Sequence, residues 1–231
     1  IGRNVIKTKT EDDIENDFLE CFKNSNSINY VFTSTQNIDR LVSIYKASLR
    51  ARKTFVVDVY GAHILEKLSD FAKLPSLLKG YPSMGVYFYS KPTSKLMRKG
   101  YKKMVYKYTQ KKIEKDDIIN NPSNYVVLVR SSMVNDLKSM NIKNGNFIYS
   151  MWFGYKDQPK TKEFIDLFAN NNFEIIDIHT SGHADVETLK EYANAINPKT
   201  IIPIHTNNKK DYKNIFSKTV LELDDNQTYK I

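Results

Sequence analysis

Residues 28–59, INYVFTSTQNIDRLVSIYKASLRARKTFVVDV, contain two apolar runs separated by a helical repeat. The run Ile28–Thr33 predicts a buried strand, and the β-branched run Phe55–Val59 predicts a second one. Between them, Asn37–Arg52 has apolar residues at helical spacing. The side chains expected to face the core from this helix are Ile38, Leu41, Val42, Tyr45 and Leu49. A strand, a helix and a strand in this order predict two parallel strands joined by a crossover helix.

The same alternation continues along the chain. Further strands are predicted at Val86–Tyr89, Tyr125–Arg130, Phe147–Tyr149, Phe173–Ile178 and Ile201–Ile204. Further helices are predicted to begin at Thr10 and to occupy Ala62–Phe71, Met133–Met140, Lys160–Asn170 and Val186–Ile196, with a basic helix, continuous or broken, at Lys95–Lys112. Thr10 and Asp13 have the spacing of a capping box. Short apolar strands alternating with helices predict an α/β fold with a mainly parallel sheet flanked by helices.

Composition narrows the class of protein. The 231 residues contain no apolar run of about 18 or more residues, so no membrane span is expected. Ile1 is followed by polar and charged residues, and no secretory leader is predicted. The single cysteine, Cys21, excludes an internal disulfide. These features predict a protein of the reducing cytoplasm.

Positive charge is concentrated in one segment. Residues 91–115 hold ten Lys or Arg residues and one acid, Glu114, and therefore account for the whole net charge of +9. Tyr101, Tyr106 and Tyr108 are interleaved with these cations. Such a segment can neutralise phosphates and stack on bases, or it can simply be a solvated helix face. The residues predicted to bind nucleic acid here are Arg98, Lys99, Lys102 and Lys103.

Two histidines follow the last predicted strands. His183 lies in HTSGHAD, residues 179–185, between a strand and a helix, and His205 ends the strand that follows. The carboxyl ends of neighbouring strands in an α/β sheet meet at the edge where ligands bind. Imidazole there can ligate a metal or move a proton. His179, ahead of them, can orient a partner from the second shell, although a purely structural role is the stronger alternative.

Two loops carry further candidates. Ser34, Thr35, Gln36 and Asn37 join a strand to a helix, where hydroxyls and free backbone N–H groups suit phosphate, and Arg40 follows one turn later. The alternative is ordinary capping by Asn37 or Thr35. After another predicted strand come Ser150 and Trp152, which can contact RNA; the aromatic side chain can instead fill a gap between domains. Asp58 also ends a strand and is predicted to cap a helix or line the cleft.

Four stretches carry a family resemblance: residues 32–40, FTSTQNIDR; residues 54–58, TFVVD; residues 148–155, IYSMWFGY; and residues 176–206 around the two histidines. Together they resemble the metallo-β-lactamase-fold nucleases of the β-CASP group, which include ribonuclease J and the RNA 3′-end-processing endonucleases. The resemblance covers nearly the whole chain except residues 91–121. The family's His-x-His-x-Asp-His motif is absent, together with its next histidine and bridging aspartate. Residues 1–3 resemble those that directly follow the family's acidic motif.

The resemblance implies a division into a β-CASP domain, residues 1–178, and a C-terminal segment of the metallo-β-lactamase fold, residues 179–231. It implies a metal-dependent RNA-processing nuclease in which His183 acts at the scissile phosphate and His205 binds one of two zinc ions. It also implies that loops 34–37 and 150–155 line the RNA channel. Without its N-terminal half, this portion is expected to be inactive and to hold no tightly bound zinc.

Several alternatives stay open at this point. A non-catalytic RNA-binding module or an inactive β-CASP paralogue fits the same residues, whereas a nucleotide-binding domain is disfavoured because no Gly-rich phosphate loop is present. RNA and DNA, cleavage within or at the end of a strand, and monomer and homodimer are not distinguished.

Overall fold

The computed structural model describes residues 9–180, 182, 184–204, 206 and 208–230. Contacts divide them into two units. The first comprises residues 10–179, and the second comprises Lys9 and the described residues from Thr180 onward. No helix among these described residues is long and apolar enough to cross a membrane.

The first unit is built around a six-stranded sheet in which every pairing is parallel. Its strands are β1 Ile28–Phe32, β2 Thr54–Asp58, β3 Met84–Tyr87, β4 Tyr125–Val129, β5 Gly145–Tyr149 and β6 Phe173–Asp177. They lie in the order β3-β2-β4-β1-β5-β6. The α/β fold with a mainly parallel sheet is therefore confirmed.

Helices cover both faces of this sheet. They are α1 Glu11–Lys23, α2 Ile38–Arg50, α3 Val59–Leu68, α4 Ser90–Arg98, α5 Lys102–Tyr106, α6 Lys115–Asn120, α7 Val134–Met140 and α8 Pro159–Ala169. One core joins α1, α2 and α3 to the face that carries Val31. The other joins α6, α7 and α8 to the face that carries Tyr30 and Phe32. Because both faces are covered, β1 is buried along its whole length, as its run of apolar residues, interrupted only by Asn29, predicts.

Local sequence signals set the helix ends. In α1, the Thr10 hydroxyl accepts from the Asp13 N–H at 3.1 Å, and the Asp13 carboxylate accepts from the Thr10 N–H at 2.8 Å. This confirms the predicted capping box. Gly100, at φ +87°, follows the end of α4, so the predicted basic helix is broken into α4, α5 and a 3₁₀ turn at Thr109–Lys111.

The predicted inward face of α2 is partly wrong. Leu49 is 39% exposed, whereas Arg40, Ser43 and Ser48 are buried. Polar groups can occupy these positions because each finds a partner; Ser48, for example, donates to the Ile44 carbonyl at 2.7 Å.

The second unit contains α9 Val186–Ile196, α10 Tyr212–Ile215 and the parallel strands β7 Thr200–Ile201 and β8 Thr219–Val220. Asp185 caps α9 by accepting from the Thr188 N–H at 2.8 Å. The strand predicted at 201–204 ends at Ile201, and Pro203, which has no N–H, cannot extend the ladder. The division at 178/179 between two domains of different fold stays a prediction.

Candidate functional site at the carboxyl edge of the sheet

All six strands run in the same direction, so the segments that follow them share one edge. The helix after β1 packs on one face of the sheet, and the helices after the adjacent β4 and β5 pack on the other. Neighbouring connections that leave toward opposite faces open a crevice at the carboxyl ends of the strands. Loop 33–37, Arg130, Ser150 and His179 all follow strands at this edge.

A buried arginine organises one half of the edge. We call Glu11, Arg40, Ser43, Ser150 and His179 the Arg40 cluster. Arg40 is 0% exposed, and its Nε and Nη2 donate to the two oxygens of Glu11 at 3.1 and 2.8 Å. Ser43 donates to the same carboxylate at 3.0 Å. The guanidinium predicted to meet phosphate is thus engaged by a carboxylate inside the protein.

The same guanidinium ties three strand ends together. Its Nη1 donates to the Ser150 hydroxyl and lies 3.4 Å from His179 Nδ1. Ser150 in turn donates to the Ile178 carbonyl at 2.5 Å, and its own carbonyl accepts from the Thr33 hydroxyl at 2.8 Å. The Arg40 cluster therefore fixes the segments that follow β1, β5 and β6.

The cluster also sets the protonation of its members. Burial lowers the pKa of His179, and the positive charge of Arg40 lowers it further against the opposing pull of Glu11. A cation that donates to Nδ1 requires the neutral imidazole with its proton on Nε2. Burial alone would raise the pKa of Glu11, but the hydrogen bond and charge of Arg40 outweigh it and leave that pKa lowered.

We predict that folding stability falls as pH drops below about 6.5, the ordinary histidine value. Because the folded pKa of His179 is lowered, the unfolded chain binds its proton more readily, and stability present above pH 6.5 is lost toward the folded pKa. His179→Asn keeps an acceptor for Arg40 and should reduce this loss, measured by urea unfolding at two pH values, 7.5 and about 5.5. His63→Asn is a second instance of the same effect and should also reduce the loss, because burial lowers the pKa of His63 on α3 as well. An unchanged pH dependence in His179→Asn would contradict the prediction.

A second cluster lies at the ends of β2 and β4. Asp58 caps α3 by accepting from the Gly61 N–H at 2.9 Å, as predicted, and it forms an ion pair with Arg130. Arg130 also donates to the Thr35 hydroxyl at 3.0 Å and lies 5.6 Å from the centre of the Tyr60 ring. Burial raises the pKa of Asp58, and the charge of Arg130 opposes this. Arg130 was not predicted as a site residue; its place at the end of the predicted strand Tyr125–Arg130 was the available signal.

These contacts sort the residues of loop 34–37. Asn37 is the N-cap of α2 and accepts from the Arg40 N–H at 3.2 Å, so the capping alternative holds for Asn37. Thr35 is buried against Arg130, and only Ser34 and Gln36 are exposed. The side chains of Ser34 and Gln36 are therefore the ones in this loop that are exposed to solvent.

The loop after β5 presents aromatic surface. Trp152 is 55% exposed, and Phe153 is exposed beside it. The Trp152 ring meets Tyr155 edge to face at 5.1 Å between centroids, which holds it in place. Elsewhere, Arg98 ends α4, Lys99 follows it, and Lys102 and Lys103 begin α5; all four are exposed.

His183 and His205 lie outside the described residues. Among the residues that are described, no three His, Cys, Asp or Glu side chains come together as a metal site. A catalytic zinc ion needs about three protein ligands. The described residues thus do not by themselves fit zinc.

The sequence and the fold were compared with those of known proteins. Residues 170–214 match the family model described as the Zn-dependent metallo-hydrolase RNA specificity domain. No curated protein sequence matches the chain.

Among solved structures, the chain is similar to a protein of unknown function from Enterococcus faecalis V583, with a TM-score of 0.65 and 16% identity. The similarity covers 96% of this chain but 45% of that one, so the chain spans less than half of its structural relative. At this identity the likeness concerns the fold alone. The family-model match, in contrast, supports the resemblance to the metallo-β-lactamase family and a metallo-hydrolase-related region with RNA specificity.

Proposed function

We propose that this chain is the RNA-recognising part of a zinc-dependent phosphodiesterase of the β-CASP type, with a cleft along the carboxyl edge of the sheet. The observation that carries the proposal is the match of residues 170–214 to the RNA specificity domain of zinc-dependent metallo-hydrolases. That range includes His179, His183 and His205. The proposed catalytic residues thus lie in the segment that carries the match.

In this proposal the exposed groups of the edge meet RNA and the buried groups hold them. Ser34 and Gln36, with the backbone N–H groups at the start of α2, contact a phosphate. Trp152 stacks on an unpaired base. Asn37, Thr35, Arg40 and Ser150 shape the two loops through their hydrogen bonds instead of touching the substrate.

The histidines divide the chemistry. His183 donates a hydrogen bond to a phosphoryl oxygen or protonates the leaving oxygen. His205 is a metal ligand whose partners come from the rest of the complete protein. His179, held neutral by Arg40, is the positioning residue ahead of His183. Zinc, when bound, supplies an activated water at neutral pH.

The isolated chain is expected to hold less than one tightly bound zinc ion, because His205 is the only family ligand that the sequence matches. Elemental analysis after dialysis measures this directly. About two zinc ions per purified chain would contradict the prediction.

Cleavage of a labelled single-stranded RNA tests the proposed function itself. The complete protein, with this chain joined to a metal-binding half, should cleave the RNA, lose activity to a chelator and regain it with zinc. A non-catalytic RNA-binding module is the second candidate, favoured by the exposed cations of α4 and α5. RNA binding with no zinc-dependent cleavage by the complete protein would select that candidate.

A further inference from the structure

The segment from Ser90 to Lys112, which we call the basic segment, is fixed to the first unit on its inner side. Leu96, Met97 and Met104 pack against the core that contains α1, α2 and α3, and Val105 and Tyr108 are part of that core. The Tyr108 hydroxyl donates to Glu66. Tyr108, one of the three interleaved tyrosines, is therefore anchoring the segment and does not meet a ligand.

The end of the segment is held against the edge of the sheet. Directly after the segment, the Ile113 N–H donates to the Val86 carbonyl at 2.9 Å. The chain at Lys112 and Ile113 therefore covers the open edge of the outer strand β3. The approach requires Gly85, because a Cβ at that position would lie 2.3 Å from Ile113 Cγ1. An anchored segment presents its outer side chains in a defined arrangement.

That outer side is cationic. Among the described residues, carboxylates pair with only two cations of the basic segment, Lys107 with Glu66 and Lys112 with Glu114. The exposed cations without a carboxylate partner are Lys91, Lys95, Arg98, Lys99, Lys102, Lys103 and Lys111. Uncompensated positive charges at this density repel one another and destabilise the folded chain. Binding of a polyanion would reduce that repulsion.

Two aromatic rings stand among these cations. Tyr101 is 53% exposed and Tyr106 is 62% exposed. Tyrosine beside lysine is the combination by which single-stranded nucleic acid is held: the cations meet phosphates, and the rings stack on bases. A duplex offers no free base face for this stacking. Insertion of this segment into a membrane surface as an amphipathic helix would need outward apolar side chains, yet Leu96 and Met97 pack on the core.

We propose that the outer side of the basic segment is a second site for single-stranded RNA, separate from the carboxyl-edge cleft. This proposal rests on the proposed function, because it takes RNA to be the nucleic acid that the protein binds. The site holds a strand by phosphate contacts from Lys99, Lys102 and Lys103 and by stacking on Tyr101 and Tyr106. It keeps RNA on the protein independently of the residues that cleave it.

Fluorescence anisotropy of the whole 231-residue chain with a labelled 12-nucleotide RNA tests the site. Lys99→Glu/Lys102→Glu/Lys103→Glu should weaken binding at least about tenfold and reduce the slope of log Kd against log salt by about 2, since each phosphate contact contributes about 0.7. Tyr101→Ala/Tyr106→Ala should weaken binding about tenfold or more with the salt slope unchanged, because stacking releases no counterions. All five side chains are exposed, and the charge reversal reduces repulsion, so the thermal unfolding temperature should not fall below that of the parent chain.

The matched control is Lys138→Glu/Lys160→Glu/Lys162→Glu, the same charge change at exposed residues of α7 and α8. Equal weakening by the control would overturn the site in favour of general electrostatics. Unchanged affinity in the tyrosine variant, equal binding of duplex RNA, or binding of anionic vesicles instead of RNA would overturn it as well.

The complete protein separates this site from the proposed function. If it cleaves RNA in a zinc-dependent manner while its basic-segment variants bind RNA normally, only this site is refuted. If the variants lose RNA binding and the complete protein does not cleave RNA, only the proposed nuclease activity is refuted.

Discussion

Replacing Glu11 by alanine is expected to lower the free energy of unfolding by about 3 kcal/mol. The Glu11 side chain is 34% exposed, but its partner Arg40 is 0% exposed, so the substitution leaves a buried guanidinium without its carboxylate. Removing one partner of a buried pair typically costs about 3–5 kcal/mol, and the partial exposure of Glu11 places this pair at the lower end. Urea unfolding at pH 7 measures the change.

Two further variants make the result specific. Glu15, on the same helix, pairs with the exposed side chains of Lys46 and Arg50, and Glu15→Ala should cost less than about 1 kcal/mol. The double variant Glu11→Leu/Arg40→Met removes both charges and should recover much of the loss, since apolar replacements of buried pairs are often neutral or better. If Glu11→Ala were as mild as Glu15→Ala, the structural importance assigned to the Arg40 cluster would be wrong.

The sheet was predictable because burial on both faces leaves a direct mark on sequence. A parallel strand covered on both sides is expected to be apolar at consecutive positions; β4 is, and β1 is apart from Asn29, whose side chain accepts from Asn146 at 3.0 Å. The alternation of such runs with helical repeats then determines the fold class. The helix α6, Lys115–Asn120, was not predicted. Four of its six residues are polar or charged and it buries only Ile118, so burial leaves little mark on its sequence.

The clusters at the carboxyl edge could not be predicted because their members are far apart in the chain. Arg40 is 29 residues from Glu11, 110 from Ser150 and 139 from His179. Its position in the first turn of a helix after a phosphate-type loop is equally compatible with a ligand contact and with a buried ion pair. Only the packing of α1 beside α2 supplies the carboxylate that decides between them. Arg130 and Asp58, 72 residues apart, present the same problem.

The packing also supplies a physical reason for the position of His179 at the carboxyl edge of the sheet. Three segments converge on one guanidinium, so we expect a change at Glu11 or Ser43 to alter the position of His179, which precedes His183 in the sequence. Glu11→Ala should therefore affect catalysis by the complete protein in addition to stability, whereas Glu15→Ala should affect neither.

The second large effect is expected in the complete, zinc-loaded protein. His183→Ala should lower the turnover of single-stranded RNA by about 10²–10³, because one hydrogen bond to the charge that develops on phosphorus oxygens is lost. Its zinc content should stay nearly intact, since the proposed role of His183 is at the phosphate. His205→Ala should reduce both turnover and zinc content, since a site with about three protein ligands loses one of them. Elemental analysis and single-turnover cleavage, performed on the same preparations, separate the two outcomes.

The two variants are thus distinguished by metal content and not by rate, because either defect can abolish cleavage. Histidine is needed in both places for different properties: a proton to donate at the phosphate, and a neutral nitrogen lone pair at the metal. His63→Ala, on α3 and not among the proposed site residues, is the control that should leave both measurements unchanged. If His183→Ala emptied the metal site while His205→Ala retained it, the two assignments would have to be exchanged. Full activity in both variants would instead leave RNA binding as the function of this chain.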